Sequence, residues 1–223
     1  MHLGRRLVFS AFILAALTLS QSAQADDLKQ VLQKLDAAAK NFTNVTTDVE
    51  FKTVMTVPVP DTDVLTGVAY YERNDGHFKM AAHLHQHNGQ PTNQTYIFSG
   101  GVLRESDTDK GNDAHTINQA SKYESYLMLG FGASGSDLQA KWDIKYDGQE
   151  TIDGITTDKL ELVAKDPTVR KNLPKVTIWL DTARAVSIKQ IFDEGEGTSR
   201  TGHYTSIQVG QKKLPGDAFS FGK

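Results

Sequence analysis

The feature that most constrains this chain is a train of short segments, beginning near residue 43, in which apolar and polar residues alternate with a period of two. In Asn44–Val57, Val45, Val49, Phe51, Met55 and Val57 share one parity, and Asp48, Glu50 and Lys52 the other. His77–His87 sets Phe78, Met80, Ala82 and Leu84 against His77, Lys79, His83, His85 and His87. Successive residues of a strand face opposite ways, so each segment is a strand with one apolar and one wet face. The same pattern places strands at Val64–Arg73, Gln94–Ser99, Val102–Ser106, Lys141–Asp147, Ile155–Ala164, Lys175–Asp181, Ala185–Asp193 and Ser199–Val209. With a short end strand around Phe219 and Phe221 the total is about eleven. Asn74-Asp75-Gly76 and Asp153-Gly154 supply hairpin turns. A long antiparallel sheet that is apolar on one side must curl around that side.

Two helical stretches interrupt the strands. Leu28–Asn41 places Leu28, Val31, Leu32, Leu35 and Ala39 at helical spacing. Further on, Thr116-Ile-Asn-Gln119 and Ser121-Lys-Tyr-Glu124 match capping boxes. They introduce Tyr123, Tyr126, Leu127 and Leu129, stopped by Gly130 and followed by a glycine- and serine-rich loop from Phe131 to Ser136. No second sheet is evident, so the helices must cover the open side. The expected fold is mainly β: a half-open antiparallel β-barrel under an N-terminal helix and a mid-chain helical lid, in one domain over residues 26–223. Inward apolar residues serve a packed core and a lipid cavity equally well at this level.

Residues 1–25 have the layout of a cleaved secretory signal. Arg5 and Arg6 precede an apolar run from Leu7 to Leu19, and Ala23-Gln24-Ala25 forms a small-x-small cleavage site. The expectation is an exported chain, soluble in the periplasm after cleavage. The formal net charge of −3 argues against a broad nucleic-acid footprint. The absence of cysteine removes both disulfides and a lipid-bearing cysteine from consideration.

Chemistry-bearing patterns are few. His83-x-His85-x-His87 would place three imidazoles on one strand face, and such an array can bind zinc. A metal-dependent hydrolase would use that strand, although the face opposite Phe78, Met80 and Leu84 reads as solvent-exposed and no metal or other cofactor is expected. Asp107–Asp113 has calcium-loop flavour but lacks the glycine and glutamate positions of an EF-hand. No G-x-S-x-G, P-loop or H-E-x-x-H occurs, and the chain reads as a non-enzyme. Trp179 has the opposite parity to Val176, Ile178 and Leu180, with coverage by the N-terminal helix as the expected explanation.

Several stretches together resemble the LolA-type periplasmic outer-membrane lipoprotein carriers and their lipoprotein-sorting relatives. They are Leu65-Thr-Gly-Val-Ala-Tyr-Tyr-Glu-Arg73 leading to His77-Phe78, Tyr96-Ile-Phe-Ser-Gly-Gly-Val-Leu103, Val176-Thr-Ile-Trp-Leu-Asp181, and Lys213-Leu-Pro-Gly-Asp-Ala-Phe-Ser-Phe221. The order and spacing of these stretches, over most of the chain, carry the likeness. The resemblance implies a hydrophobic cavity that shields lipoprotein acyl chains, lined here by Phe51, Met55, Phe78, Met80, Leu84, Phe98, Trp142, Ile144 and Leu160. It implies a lid bearing Tyr123, Tyr126, Leu127 and Leu129. Arg73 matches the family's lid-latching arginine, with Gly67 leaving room on the same face; Asn74 stands where the family usually has proline. Partners implied are lipoprotein acyl chains or another lipid, an inner-membrane release complex and an outer-membrane acceptor. An envelope sensor on the same fold, binding a membrane-bound regulator, is the alternative from another class.

Overall fold

A computed structural model describes residues 27–74, 77–107, 111–117 and 127–221. Eleven strands form one antiparallel sheet: β1 (Asn44–Met55), β2 (Asp61–Asn74), β3 (His77–His87), β4 (Gln90–Ser99), β5 (Val102–Asp107), β6 (Asn112–Ile117), β7 (Trp142–Ile152), β8 (Ile155–Ala164), β9 (Lys175–Asp181), β10 (Val186–Gly195) and β11 (Thr198–Val209). Their spatial order is β6-β5-β4-β3-β2-β1-β11-β10-β9-β8-β7, so the sheet is open, with β6 and β7 at its edges and the β1–β11 pair at its middle. Three helices lie wholly within the described residues: α1 (27–39), α2 (Gly135–Lys141) and α3 (Pro167–Asn172). Among the described residues no helix is long and apolar enough to cross a membrane.

The count of eleven strands holds with one exchange. β6 was not expected, because Asn112-Asp-Ala-His-Thr-Ile117 lacks apolar alternation, yet it pairs with β5 and carries Thr116, the first residue of an expected capping box. The end strand at Phe219 and Phe221 does not form. Residues 210–221 are turns and irregular chain instead, lying against the outer face of the sheet. There His83 Nε2 meets the Ala218 carbonyl at 2.9 Å, while Lys79 and Arg104 lie over the rings of Phe219 and Phe221. Outward-facing Ala81, Thr95 and Ile97 are buried on this part of the sheet, as are Leu214 and Ala218 of the tail. The outer face is therefore drier here than alternation alone implies.

The inner face divides into two packed halves. On the β7–β9 side, α1 presents Val31, Leu32 and Leu35 to Leu160, Leu162, Val176, Ile178 and Leu180, all nearly inaccessible. Each such side chain taken out of water contributes about 1.5–3 kcal/mol, which anchors a helix too short to be stable alone. α2 caps this half. Its Ser134–Asp137 capping box is intact, Ser136 donates from both its backbone N–H and its hydroxyl to Asp36, and a β-carbon on Gly135 would collide with the α1 backbone at Leu32. On the other side, β1–β5 and β11 surround a cluster rich in aromatics.

Trp179 corrects an expectation. α1 covers the inward neighbour Ile178, not Trp179. The indole is buried on the outer face, where Nε1 donates to Glu150 at 2.6 Å and Lys159 and Lys189 flank the ring at 5.2 and 5.0 Å.

Candidate functional site

The β1–β5 half of the inner face is built on cross-strand pairs. Directly opposed residues share a face, and the ladders join Phe51 to Leu65, Val45 to Tyr71, Tyr71 to Met80 and Met80 to Phe98. The resulting rings form a continuous series across the sheet. Phe98 neighbours Phe78 at 6.3 Å between centroids and Phe78 neighbours Tyr71 at 6.2 Å; Tyr204 continues to Phe51 at 6.4 Å. The ring that joins the two runs is Phe131. It stacks on Tyr71 at 3.8 Å with 9° between planes and meets Tyr204 edge-on at 4.8 Å.

Phe131 comes from the segment expected to be a plain loop. That segment crosses the inner face, bridging Val186 of β10 through Phe131, while Gly132 donates its N–H to the Ala185 carbonyl at 2.9 Å. Gly130 and Gly132 both have left-handed φ, 76° and 70°. Neither has room for a side chain: a β-carbon on Gly130 would lie 2.6 Å from Ser187 Cβ, and one on Gly132 would enter the Phe42 ring. Gln190, buried among the apolar residues of β10, donates from Nε2 to the Leu129 carbonyl at 2.5 Å and accepts from the Tyr204 hydroxyl at 2.9 Å. Burial lifts the Tyr71 and Tyr204 phenols above their usual range, so both rings stay neutral in the site.

Of the expected cavity residues, Phe51, Phe78, Met80, Leu84 and Phe98 belong to this half. Trp142, Ile144 and Leu160 belong to the separate core under α1. Alternation assigns a face, not a position along the sheet, so the division was not readable from parity. Met55 pairs with Asp61 and Thr198 at the rim and is 39% exposed. Phe51, Leu65, Tyr96 and Leu103 are only partly buried around a centre in which Val45, Leu84 and Phe98 are fully buried. The α1 half likewise joins fully buried Leu160, Leu162 and Ile178 to partly buried Ile144 and Tyr146, and what sets the first half apart is its aromatic rings. The first half is the candidate binding trough. Of the expected lid residues, Tyr123 and Tyr126 lie outside the described residues, Leu127 packs on the trough and Leu129 on the α1 core. The signal segment 1–25, the turn at Asp75-Gly76 and part of the Asp107–Asp113 loop also lie outside them.

Arg73 is opposed to Phe78, which places it on the inner face at the end of β2, half-buried, with its N–H bonded to the Thr43 carbonyl at 2.7 Å. A cleft of ≈280 Å³ opens beside it, lined by Glu72, Asn74, His77, Phe78, Lys79, Ser99 and Gly100. Gln190, a residue the sequence analysis did not single out, adds a side-chain contact to the backbone ones that hold the 127–132 segment to the sheet. Gly67 does not open space on the inner face. A β-carbon there would strike the β3 backbone at His83, because β2 and β3 approach closely at a register shift.

That shift also dissolves the histidine array. Thr66 pairs with Gln86 and Gly67 with Leu84, leaving His85 as the extra residue of a β-bulge. Beyond the bulge the parity reverses: His87 opposes Leu65 and bonds Asp63, while His83 faces outward to Ala218 and Thr95. The three imidazoles do not converge, and among the described residues no group of three His, Asp or Glu side chains is placed to hold a metal ion.

Comparison with solved structures agrees with this architecture. MucB aligns at a TM-score of 0.53 and 14% identity over 88% of this chain, and MucB of Pseudomonas aeruginosa in its complex with MucA aligns at 0.51 and 15% over the same share. The chain spans 63% and 61% of those two proteins. An outer membrane lipoprotein-sorting protein domain from Vibrio parahaemolyticus aligns over 86% of this chain and 95% of its own, at 14% identity and a TM-score of 0.46. The chain shares its fold with MucB. No family model and no curated protein matches the sequence.

Proposed function

We propose that this chain is a LolA-like periplasmic carrier that holds the acyl chains of lipoproteins, or another acyl lipid, in the trough of β1–β5 and β11 and ferries them towards the outer membrane. The observation that carries this reading is the aromatic floor running from Phe98 to Phe51, with Phe51, Leu65, Tyr96 and Leu103 partly open along it. An acyl chain has no polar atoms to satisfy, so such a floor needs no hydrogen-bonding groups. Each methylene transferred to it is worth about 0.8 kcal/mol. No covalent chemistry is required, and the chain acts as a binding protein rather than an enzyme. Loading and unloading belong to an inner-membrane release complex and an outer-membrane acceptor.

The test is displacement of a fluorescent fatty acid, paired with native mass spectrometry of protein purified gently from a bacterial periplasm. Uptake of the probe and co-purifying acyl lipid are expected, and Leu65→Asp at the partly buried edge of the trough is expected to weaken uptake about tenfold or more. A bare chain that ignores added lipid would overturn the carrier reading. MucB, solved in complex with MucA, supports a second reading, in which the sheet binds the periplasmic segment of a membrane-bound regulator. Capture of such a segment by a chain that takes up no probe would decide for it.

A further inference from the structure

Resting on the carrier reading, we infer that Phe131 is the end stop of the trough and sets the length of acyl chain the protein accepts. Leu129 and Phe131 stand on opposite sides of one crossing: Leu129 packs into the sealed α1 core and Phe131 into the aromatic cluster. The segment between them is a partition. On its far side Leu160, Leu162 and Ile178 are close-packed, whereas on its near side Phe51 and Leu65 are only partly buried. A chain sliding along Leu65 and Phe51 towards Tyr71 and Tyr204 meets the Phe131 ring, which is stacked on Tyr71 and packed edge-on with Tyr204. Phe131 is in effect a ligand surrogate supplied by the protein itself, 1% exposed and bound where the end of an acyl chain would lie.

The partition is built to stay in place. The two left-handed glycines set the ring's approach, the backbone bridge to Val186 and the Gly132–Ala185 hydrogen bond fix its depth, and Gln190 ties Leu129 to Tyr204. Two consecutive anchors, one at the first residue of β10 and one just before it, make this a wall rather than a flap. Truncating Phe131 leaves an apolar void against the rings of Tyr71 and Tyr204. A void of that kind accepts hydrocarbon in place of the lost ring.

The experiment is a displacement titration with straight-chain saturated fatty acids of increasing length, on the wild type, Phe131→Ala and Phe131→Leu. In the wild type, affinity is expected to rise about fourfold per added methylene and then level off at a definite length. Phe131→Ala is expected to continue the rise past that length, with Phe131→Leu levelling off between the two. Levelling at the wild-type length in folded variants would overturn the inference, as would an equal loss at every length. Phe131→Leu carries the test if the alanine variant fails to fold. A wild type that binds no member of the series overturns the carrier reading itself, an outcome distinct from an unmoved break point.

Discussion

Single residues hold this site in ways that titration and mutagenesis can read. Gln190 is the polar pin of an apolar face, and Gln190→Leu leaves the Tyr204 hydroxyl buried without its acceptor. The expected cost is about 1–3 kcal/mol, with faster amide exchange confined to residues near Leu129–Gly132, measured by denaturant unfolding and hydrogen exchange. On the outer face, hydrogen bonds from Lys159 and from Trp179 hold the Glu150 carboxyl below its ordinary range. A depressed carboxylate contributes stability that is present above the ordinary glutamate value and lost as pH falls through the lowered one. Trp179 emission is therefore expected to shift only once pH has fallen below the ordinary glutamate value, and Glu150→Gln is expected to remove most of that acid shift. The faces of Phe78, Met80, Leu84 and Phe98 were legible in the sequence because period-two alternation names a face. Phe131 was not, because an aromatic between two glycines reads as loop chemistry. Its burial depends on where β10 and β11 have brought Val186 and Tyr204.

At the scale of elements, α1 was legible from its apolar stripe, and its packing gives a direct test. Leu35→Ala is expected to destabilise by about 2–5 kcal/mol, since Leu35 is 1% exposed in a core with no slack, checked by the shift in urea midpoint. Gly132→Ala should cost at least as much as an ordinary left-handed strain of about 1–2 kcal/mol, because Phe42 must also move, and the same unfolding curve reports it. The bulge at His85 shows where pattern reading reaches its limit. The residues from His77 to His85 alternate in the sequence apart from Ala81, and one inserted residue sends His83 and His87 to opposite faces. Nothing local marks it. The close approach of β2 at Gly67 is a property of the pair, and Gly67 by itself reads equally well as room for a ligand. α2 and β6 escaped for a simpler reason: a seven-residue helix and a polar edge strand carry too little periodicity to stand out.

For the molecule as a whole, the buried phenols make alkaline pH a sensitive probe. Tyr71 and Tyr204 have raised values through burial, so the stability they contribute is complete below the ordinary tyrosine value near 10 and is lost as pH rises towards their own. Their phenolate absorbance is expected to appear in one step together with loss of near-ultraviolet circular dichroism, and not before it. The order of the sheet has a consequence of another kind. Its central seam joins β1 to β11, the first strand made and the last, while the edges β6 and β7 come from the middle of the sequence. Until Thr198–Val209 is available, β1 has only β2 beside it and the sheet is two unconnected halves. A chain still being synthesised therefore cannot close its fold early, and one destined to pass through a membrane as an extended thread remains threadable until its last strand arrives.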